Sequence, residues 1–168
     1  MNVTIRLEQD QDIDTITRLT EAAFQNVEHS GHTEQFIVNA LRRADQLAVS
    51  LVAVENDAII GHVAISPVTV SSGSTGWYGL GPISVWPNCQ GQGIGSALMK
   101  AALAQLQQLG AAGCVLLGDP GYYGRFGFRA HTGLELSGVP PEYFQALSFG
   151  GELPVGVVKY HEAFEATE

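Results

Sequence analysis

Apolar and polar residues alternate over Val3-Thr4-Ile5-Arg6-Leu7, the period of a half-buried strand. Past Asp10 and Asp12, either of which can cap a helix, Ile13, Ile16, Leu19, Ala23 and Phe24 recur on one helical face. The glycine and histidines between Glu28 and His32 break that helix. A second is expected over residues 33–43, with Thr33 as its cap and Phe36, Ile37, Ala40 and Leu41 on one side. Two β-branched runs, residues 48–55 and 59–70, flank Asn56-Asp57 and predict a hairpin. After a polar turn at 71–76, a strand is expected over 77–85, interrupted by Gly79, Gly81 and Pro82, so that regular pairing fails inside it.

A loop at 86–92 leads into the strongest helical pattern in the chain. Ile94, Leu98, Ala101, Ala102, Leu106 and Leu109 form its apolar face, and Gly110 suits a left-handed stop. Cys114-Val115-Leu116-Leu117 reads as a buried strand. Residues 131–154 carry the weakest pattern, although Pro140-Pro141 ahead of Glu142-Tyr143-Phe144 can open a short helix. A last strand is expected over 155–160. There is no repeat and no linker composition, so the expectation is one domain over residues 1–168, of α/β class.

Composition narrows the functions such a domain can have. The chain has 168 residues and a formal charge of −9. Its basic residues form no run longer than the pair Arg42-Arg43, which argues against nucleic acid as a partner. No apolar run approaches the ~18 residues a membrane span needs. The N-terminus lacks the basic-then-apolar layout of a secretory signal, so a cytoplasmic protein is expected. Cys89 and Cys114 have neither zinc-knuckle nor redox-pair spacing; they read as reduced thiols, and no metal is expected.

The informative segment is Val85-Trp86-Pro87-Asn88-Cys89-Gln90-Gly91-Gln92-Gly93-Ile94-Gly95-Ser96. It follows a strand and opens a helix, where backbone N–H groups converge with the positive end of the helix dipole. Glycines at 91, 93 and 95 remove the Cβ atoms that would hold an anion away, which suits a phosphate or pyrophosphate. A tight strand-to-helix turn needs glycine for steric reasons too. The spacing is neither the dinucleotide fingerprint nor the Gly-Lys-Ser/Thr loop of nucleotide hydrolases.

Gln90-x-x-Gly93-x-Gly95, preceded by Val85-x-Pro87 and followed by Leu98-Met99, resembles the coenzyme A signature of the GNAT N-acetyltransferase superfamily. Tyr123-Gly124-Arg125-Phe126-Gly127-Phe128 resembles that family's downstream Tyr-x-x-x-Gly-Phe element. The string from Gly118 through Phe128 is similar to its YhbS-like bacterial branch, and the order of elements agrees to about residue 130. The resemblance implies a mixed sheet whose central strands, 77–85 and 114–117, part around acetyl-CoA, with Gly81-Pro82 as a local reason for the parting.

It further implies residue roles. The backbone N–H groups of Gly91, Gln92, Gly93, Ile94, Gly95 and Ser96 would hold the pyrophosphate, the Val85 backbone would meet the pantetheine arm, and Ser84 and Gln90 would also bind the cofactor. The Ile83 N–H would polarise the acetyl carbonyl, and Tyr123 would donate a proton to the departing thiolate. Tyr122 is expected to point elsewhere and pack. The implied reaction is direct attack of a small amine or peptide amine on the thioester; a non-catalytic acyl-CoA sensor is the alternative, and a homodimer is admitted as the assembly. Cys89, near the thioester path, leaves a covalent acyl-cysteine route open.

The chain departs from the family in two places. The position at which several members carry a strand-borne glutamate falls around Gly79 and Leu80, which cannot titrate. Glu28, His29, His32 and Glu34 are candidate replacements, and a water chain needing no single base is equally admissible. Asp119 is expected to cap a turn, and His62, His131 and His161 read as structural. Trp77, Tyr78, Tyr143, Phe144 and Phe149 read as core, or else as the lining of an acceptor pocket. Second, no basic residue occurs between Arg43 and Lys100, leaving Lys100 or Arg125 to reach a peripheral phosphate. Backbone dipoles would then carry the pyrophosphate. The Kd for acetyl-CoA, followed by calorimetry, is expected to rise by less than about threefold between about 50 and 300 mM salt; a steeper loss contradicts this.

Overall fold

Most of the hydrophobic pattern is realised as drawn in a computed structural model, which describes residues 2–28 and 30–168. The elements are β1 (Val3–Leu7), α1 (Ile13–Phe24), α2 (Glu34–Arg43), β2 (Val49–Glu55), β3 (Ala58–Pro67), β4 (Thr69–Val70), β5 (Trp77–Val85), α3 (Ile94–Gln108), β6 (Gly113–Leu117), α4 (Pro120–Tyr123), β7 (Leu134–Glu135), β8 (Phe144–Ser148) and β9 (Gly156–Lys159). Asn56 and Asp57 make the β2–β3 hairpin turn with positive φ at both, 50° and 63°. The run expected over 59–70 divides into β3 and β4, and Pro141–Tyr143 is a single 3-10 turn.

A six-stranded mixed sheet runs in the order β1-β2-β3-β5-β6-β8. Only the β5–β6 pairing in it is parallel. Side chains alternate across the sheet. Leu51, Val63, Ile65, Cys114 and Leu116 pack against Leu98, Met99, Ala102 and Leu106 of α3. On the opposite face, Val52 and Ala64 meet Ile16 of α1 and Val38 of α2. A small sheet, β4-β9-β7, closes the far end over Trp77, Val115, Phe144 and Ala146. Trp77 and Phe144 are therefore core, Tyr78 and Phe149 pack against core, and Tyr143 is on the surface.

Neither expected helix is capped by its own side chain. Asp12 precedes α1, but its carboxylate accepts from the Gln9 N–H (2.7 Å) and pairs with Arg6 (2.7 Å), tying the helix entrance to β1. Thr33 precedes α2 without a side-chain bond. A second ionic tie holds α2 to the sheet. Arg42 donates to both Glu8 carboxylate oxygens (2.8 and 2.7 Å), Ser50 Oγ donates to Glu8, and Ser50 Oγ lies 2.8 Å from Nε2 of fully buried His62. His62 is structural, as its place in a strand suggests.

Burial holds the His62 imidazole neutral, lowering its pKa to about 4, against the pull of Glu8 and with the push of Arg42. Burial opposes ionisation of Glu8, but bonds from Arg42 and Ser50 outweigh it and keep this carboxyl below its usual range. Below the ordinary histidine pKa of about 6.5, the unfolded chain takes up a proton at His62 that the folded chain refuses. Stability therefore falls as pH drops from about 6.5 toward about 4, and Glu8 deepens the loss at the acid end. The expected decrease from pH 7.5 to pH 5 is about 2 kcal/mol, read as a lower urea midpoint. His62→Gln should flatten that dependence.

Candidate active site

The β5–β6 ladder stops early. Trp77, Tyr78 and Gly79 pair with Gly113, Cys114 and Val115, and nothing on β6 pairs with β5 beyond Gly79. Along β3, Val63 faces Ile83 and Ile65 faces Leu80, so β5 carries one extra residue at Gly81-Pro82. This is a β-bulge, and Pro82 has no N–H to contribute. Leu116 and Leu117 meanwhile pair with β8 on the other side. The strands part where the sequence suggested.

Pairing parity shows which amides face the gap. The Trp86 N–H donates to the Ile60 carbonyl at 3.0 Å, making that a mutually bonded pair. Bonded and non-bonded pairs alternate along an antiparallel ladder, so Val85 and Ile83 turn their N–H and C=O groups away from β3 and toward the opening. The Val85 carbonyl indeed accepts from Gln90 Nε2 at 3.0 Å. Ser84 behaves differently from expectation: by the same alternation its backbone groups face β3 opposite His62, and its side chain is buried. Ser84 is not on the cleft side.

The gap opens into a cleft of about 760 Å³ lined by Ile83, Val85, Gln90, the glycine loop and Tyr123. Gly91 and Gly93 have φ of 79° and 82°, and an added Cβ would meet nothing there, so glycine is required by conformation. Gly93 caps α3 with no side-chain bond. Among the described residues, no protein acceptor is present for the N–H groups of Gly91, Gln92, Gly93, Ile94, Gly95 and Ser96. Gln92 is exposed and outside the cleft lining, whereas Gly91, Gly93, Ile94, Gly95 and Ser96 line it. Arg125 is the one cation among the described lining residues, and Lys100 lies outside it. Cys89 lines the cleft and is half-buried; Cys114 is buried in the core.

Tyr123 ends α4, whose start is capped by Asp119: the Asp119 carboxylate accepts from the Gly121 N–H at 3.1 Å, as expected. The Tyr123 ring stands edge-on to Tyr122, centroids 4.9 Å apart, and edge-on to Phe128. Gly118 makes room for it, since a Cβ there would overlap the ring. Burial, reinforced by Tyr122 and Asp119, raises the phenol pKa and keeps the proton on Oη. Tyr122 does not turn away as expected. It lines the same cleft beneath the Arg125 guanidinium, 4.4 Å from its ring centroid. Tyr122 and Arg125 are three residues apart in a helical turn, a spacing that places both on one side.

A second cleft, about 490 Å³, lies across Ile83 and Tyr123, which line both. Of the candidate bases, Glu34 lines it. Glu28 and His32 are exposed and outside its lining, and His29 lies outside the described residues. Phe24, Tyr160 and Phe164, distant in the chain, also line it, whereas Trp77, Tyr78, Tyr143, Phe144 and Phe149 do not. His161 caps a C-terminal turn, its Nδ1 accepting from the Ala163 N–H at 3.0 Å.

A strand gap, an open helix N-terminus and a phenol between two clefts together define an acyltransferase site. The chain belongs to the GNAT acetyltransferase family, whose domain matches residues 4–130. It is 34% identical to the uncharacterized N-acetyltransferase YhbS of Escherichia coli K12, over 95% of this chain and 97% of that one. The crystal structure of Escherichia coli YhbS in complex with CoA superposes with a TM-score of 0.90 at 31% identity, covering 100% of this chain and 94% of that chain. A GNAT acetyltransferase from Brucella melitensis, solved with acetyl-CoA, is 50% identical with a TM-score of 0.87, covering 97% and 98% of the two chains.

Gly118→Ala should displace the Tyr123 ring. The expected cost is about 1–3 kcal/mol of stability, together with lower turnover at temperatures where the variant is folded, measured by urea unfolding and thiol release.

Proposed function

We propose that this chain transfers an acetyl group from acetyl-CoA to a primary amine that attacks directly, with both substrates bound. The observation that carries the reading is the meeting of the two clefts at Ile83 and Tyr123. The residues fit the donor: six consecutive N–H groups without a protein acceptor, at the positive end of a 15-residue helix, suit a pyrophosphate. The complexes of the Brucella and Escherichia relatives with acetyl-CoA and CoA support the same assignment here. Gly91, Gly93, Ile94, Gly95 and Ser96 would hold the phosphates and Val85 the pantetheine arm, while Arg125 reaches the rim. When bound, acetyl-CoA supplies an activated acetyl thioester.

The Ile83 N–H, turned into the gap, donates to the carbonyl oxygen as negative charge develops there. Tyr123 Oη holds its proton at neutral pH and gives it to the leaving sulfur, then recovers one from solvent, to which the amine, attacking as the neutral species, has lost its own. This placement of a phenol favours catalysis over a sensor that merely binds the thioester. The acceptor is a small amine or a peptide amine, entering from the second cleft. Residues beyond 130 belong to the same unit in this reading, because β8 completes the main sheet and Tyr160 and Phe164 line that cleft. Among the described residues no helix is long and apolar enough to cross a membrane, and action in the cytoplasm is part of the proposal.

Tyr123→Phe is expected to lower kcat on the order of 100-fold while the calorimetric Kd for acetyl-CoA stays within about threefold. An undiminished rate removes Tyr123 from the reaction. Cys89→Ala should retain turnover; its loss would instead favour an acyl-cysteine route.

A further inference from the structure

We infer that the acceptor is a monoamine on an apolar body, of the arylalkyl or alkyl class, held in the 490 Å³ cleft with its ammonium group on Glu34. The inference rests on the transferase reading above, since it takes that cleft as the acceptor side. Its walls are aliphatic and aromatic. Phe24 and Ile37 come from the two helices, Leu80 and Pro82 from the bulged strand, and Leu136 and Phe164 from the C-terminal part. Glu34 is the only charged group among the described lining residues, although the chain as a whole carries −9. Ser30 Oγ, 2.7 and 2.8 Å from its two carboxylate oxygens, fixes the Glu34 side chain and itself accepts from the His32 N–H at 2.9 Å.

One carboxylate can neutralise one ammonium, which releases a proton to solvent before the neutral amine attacks. A polyamine or an aminoglycoside brings several, and the surplus charges would rest on apolar walls with no partner, which is costly. A peptide brings amide groups that need hydrogen-bond partners, and the walls offer few. Tyr160 supplies a second, independent observation. Its Oη is buried without a hydrogen-bond partner, and its ring stands over Gly79, where an added Cβ would lie 3.3 Å from Cζ. Gly79 is the last residue of β5 paired to β6, so this ring packs at the root of the opening. Burial keeps it protonated. One carboxylate and few other polar groups in an otherwise apolar lining suit a single polar head with an apolar tail.

Thiol release from acetyl-CoA should be followed with 2-phenylethylamine and hexylamine against spermidine, kanamycin and an unblocked tripeptide, with acetyl-CoA binding measured separately by calorimetry. The two monoamines are expected to give a kcat/KM at least about tenfold above the others. Glu34→Gln should raise KM for 2-phenylethylamine at least about tenfold, with Glu34→Asp in between and the Kd for acetyl-CoA unchanged. Tyr160→Phe should raise that KM several-fold, again without affecting acetyl-CoA. If acetyl-CoA binds but spermidine, kanamycin or the tripeptide is preferred, or if Glu34→Gln leaves KM unaltered, the inference is wrong and the transferase reading stands. If the wild-type protein fails to bind acetyl-CoA, the reading beneath it is wrong.

Discussion

Two adjacent strands that stop pairing before they end are the constraint on which this molecule depends. Had the β5–β6 ladder continued past Gly79, the Ile83 N–H would have found a partner on β6 and no cleft would exist. The gap does not cost the fold its integrity, because each strand is anchored on its far side. β5 is paired along β3, and β6 has five register partners on β8. The unpaired amides face an open cleft where water or a ligand can satisfy them, so the usual penalty for an orphaned backbone group is avoided. The bulge at Gly81-Pro82 contributes by adding a residue to β5 and removing a donor from it.

The anion site follows from the same economy of means. In a chain of charge −9, Arg125 is the only cation among the described lining residues, and it is held against the Tyr122 ring at the rim. Attraction for a diphosphate must then come from fixed dipoles, which are pre-oriented and need no side-chain ordering. Left-handed backbone at Gly91 and Gly93 points successive amides one way, and α3 adds its dipole behind them.

Much of this was legible because local rules and the tertiary fold agree. The Asn56-Asp57 turn, the 77–85 strand and the glycine loop before an amphipathic helix each carry their signal within a few residues. β8 does not. Its segment Phe144-Gln145-Ala146-Leu147-Ser148 holds a polar residue that is 1% exposed, Gln145, whose Nε2 donates to the Gly118 carbonyl at 2.9 Å. A buried glutamine whose amide nitrogen is satisfied by a distant carbonyl looks, along the sequence, like a break in an apolar run. Ser84 was misplaced for a simpler reason, since alternation along a strand turns it away from the side that its neighbours Ile83 and Val85 face.

The two clefts differ in how they recognise what enters them, and this explains why one could be read and the other could not. The donor side uses main-chain amides and lies within residues 4–130, where the family pattern applies. Any side chains will do there, provided glycine permits the conformation, so the motif is short and stable against substitution elsewhere. The second cleft, the proposed acceptor side, is lined by residues from α1, α2, β5, β6, α4 and the segment beyond 130. These segments are scattered along the chain, and apart from the bulged stretch of β5 they lie outside the strand gap and the glycine loop. On the proposed reading, such a protein keeps its donor chemistry in the backbone while the walls around Glu34 and Tyr160 select the amine.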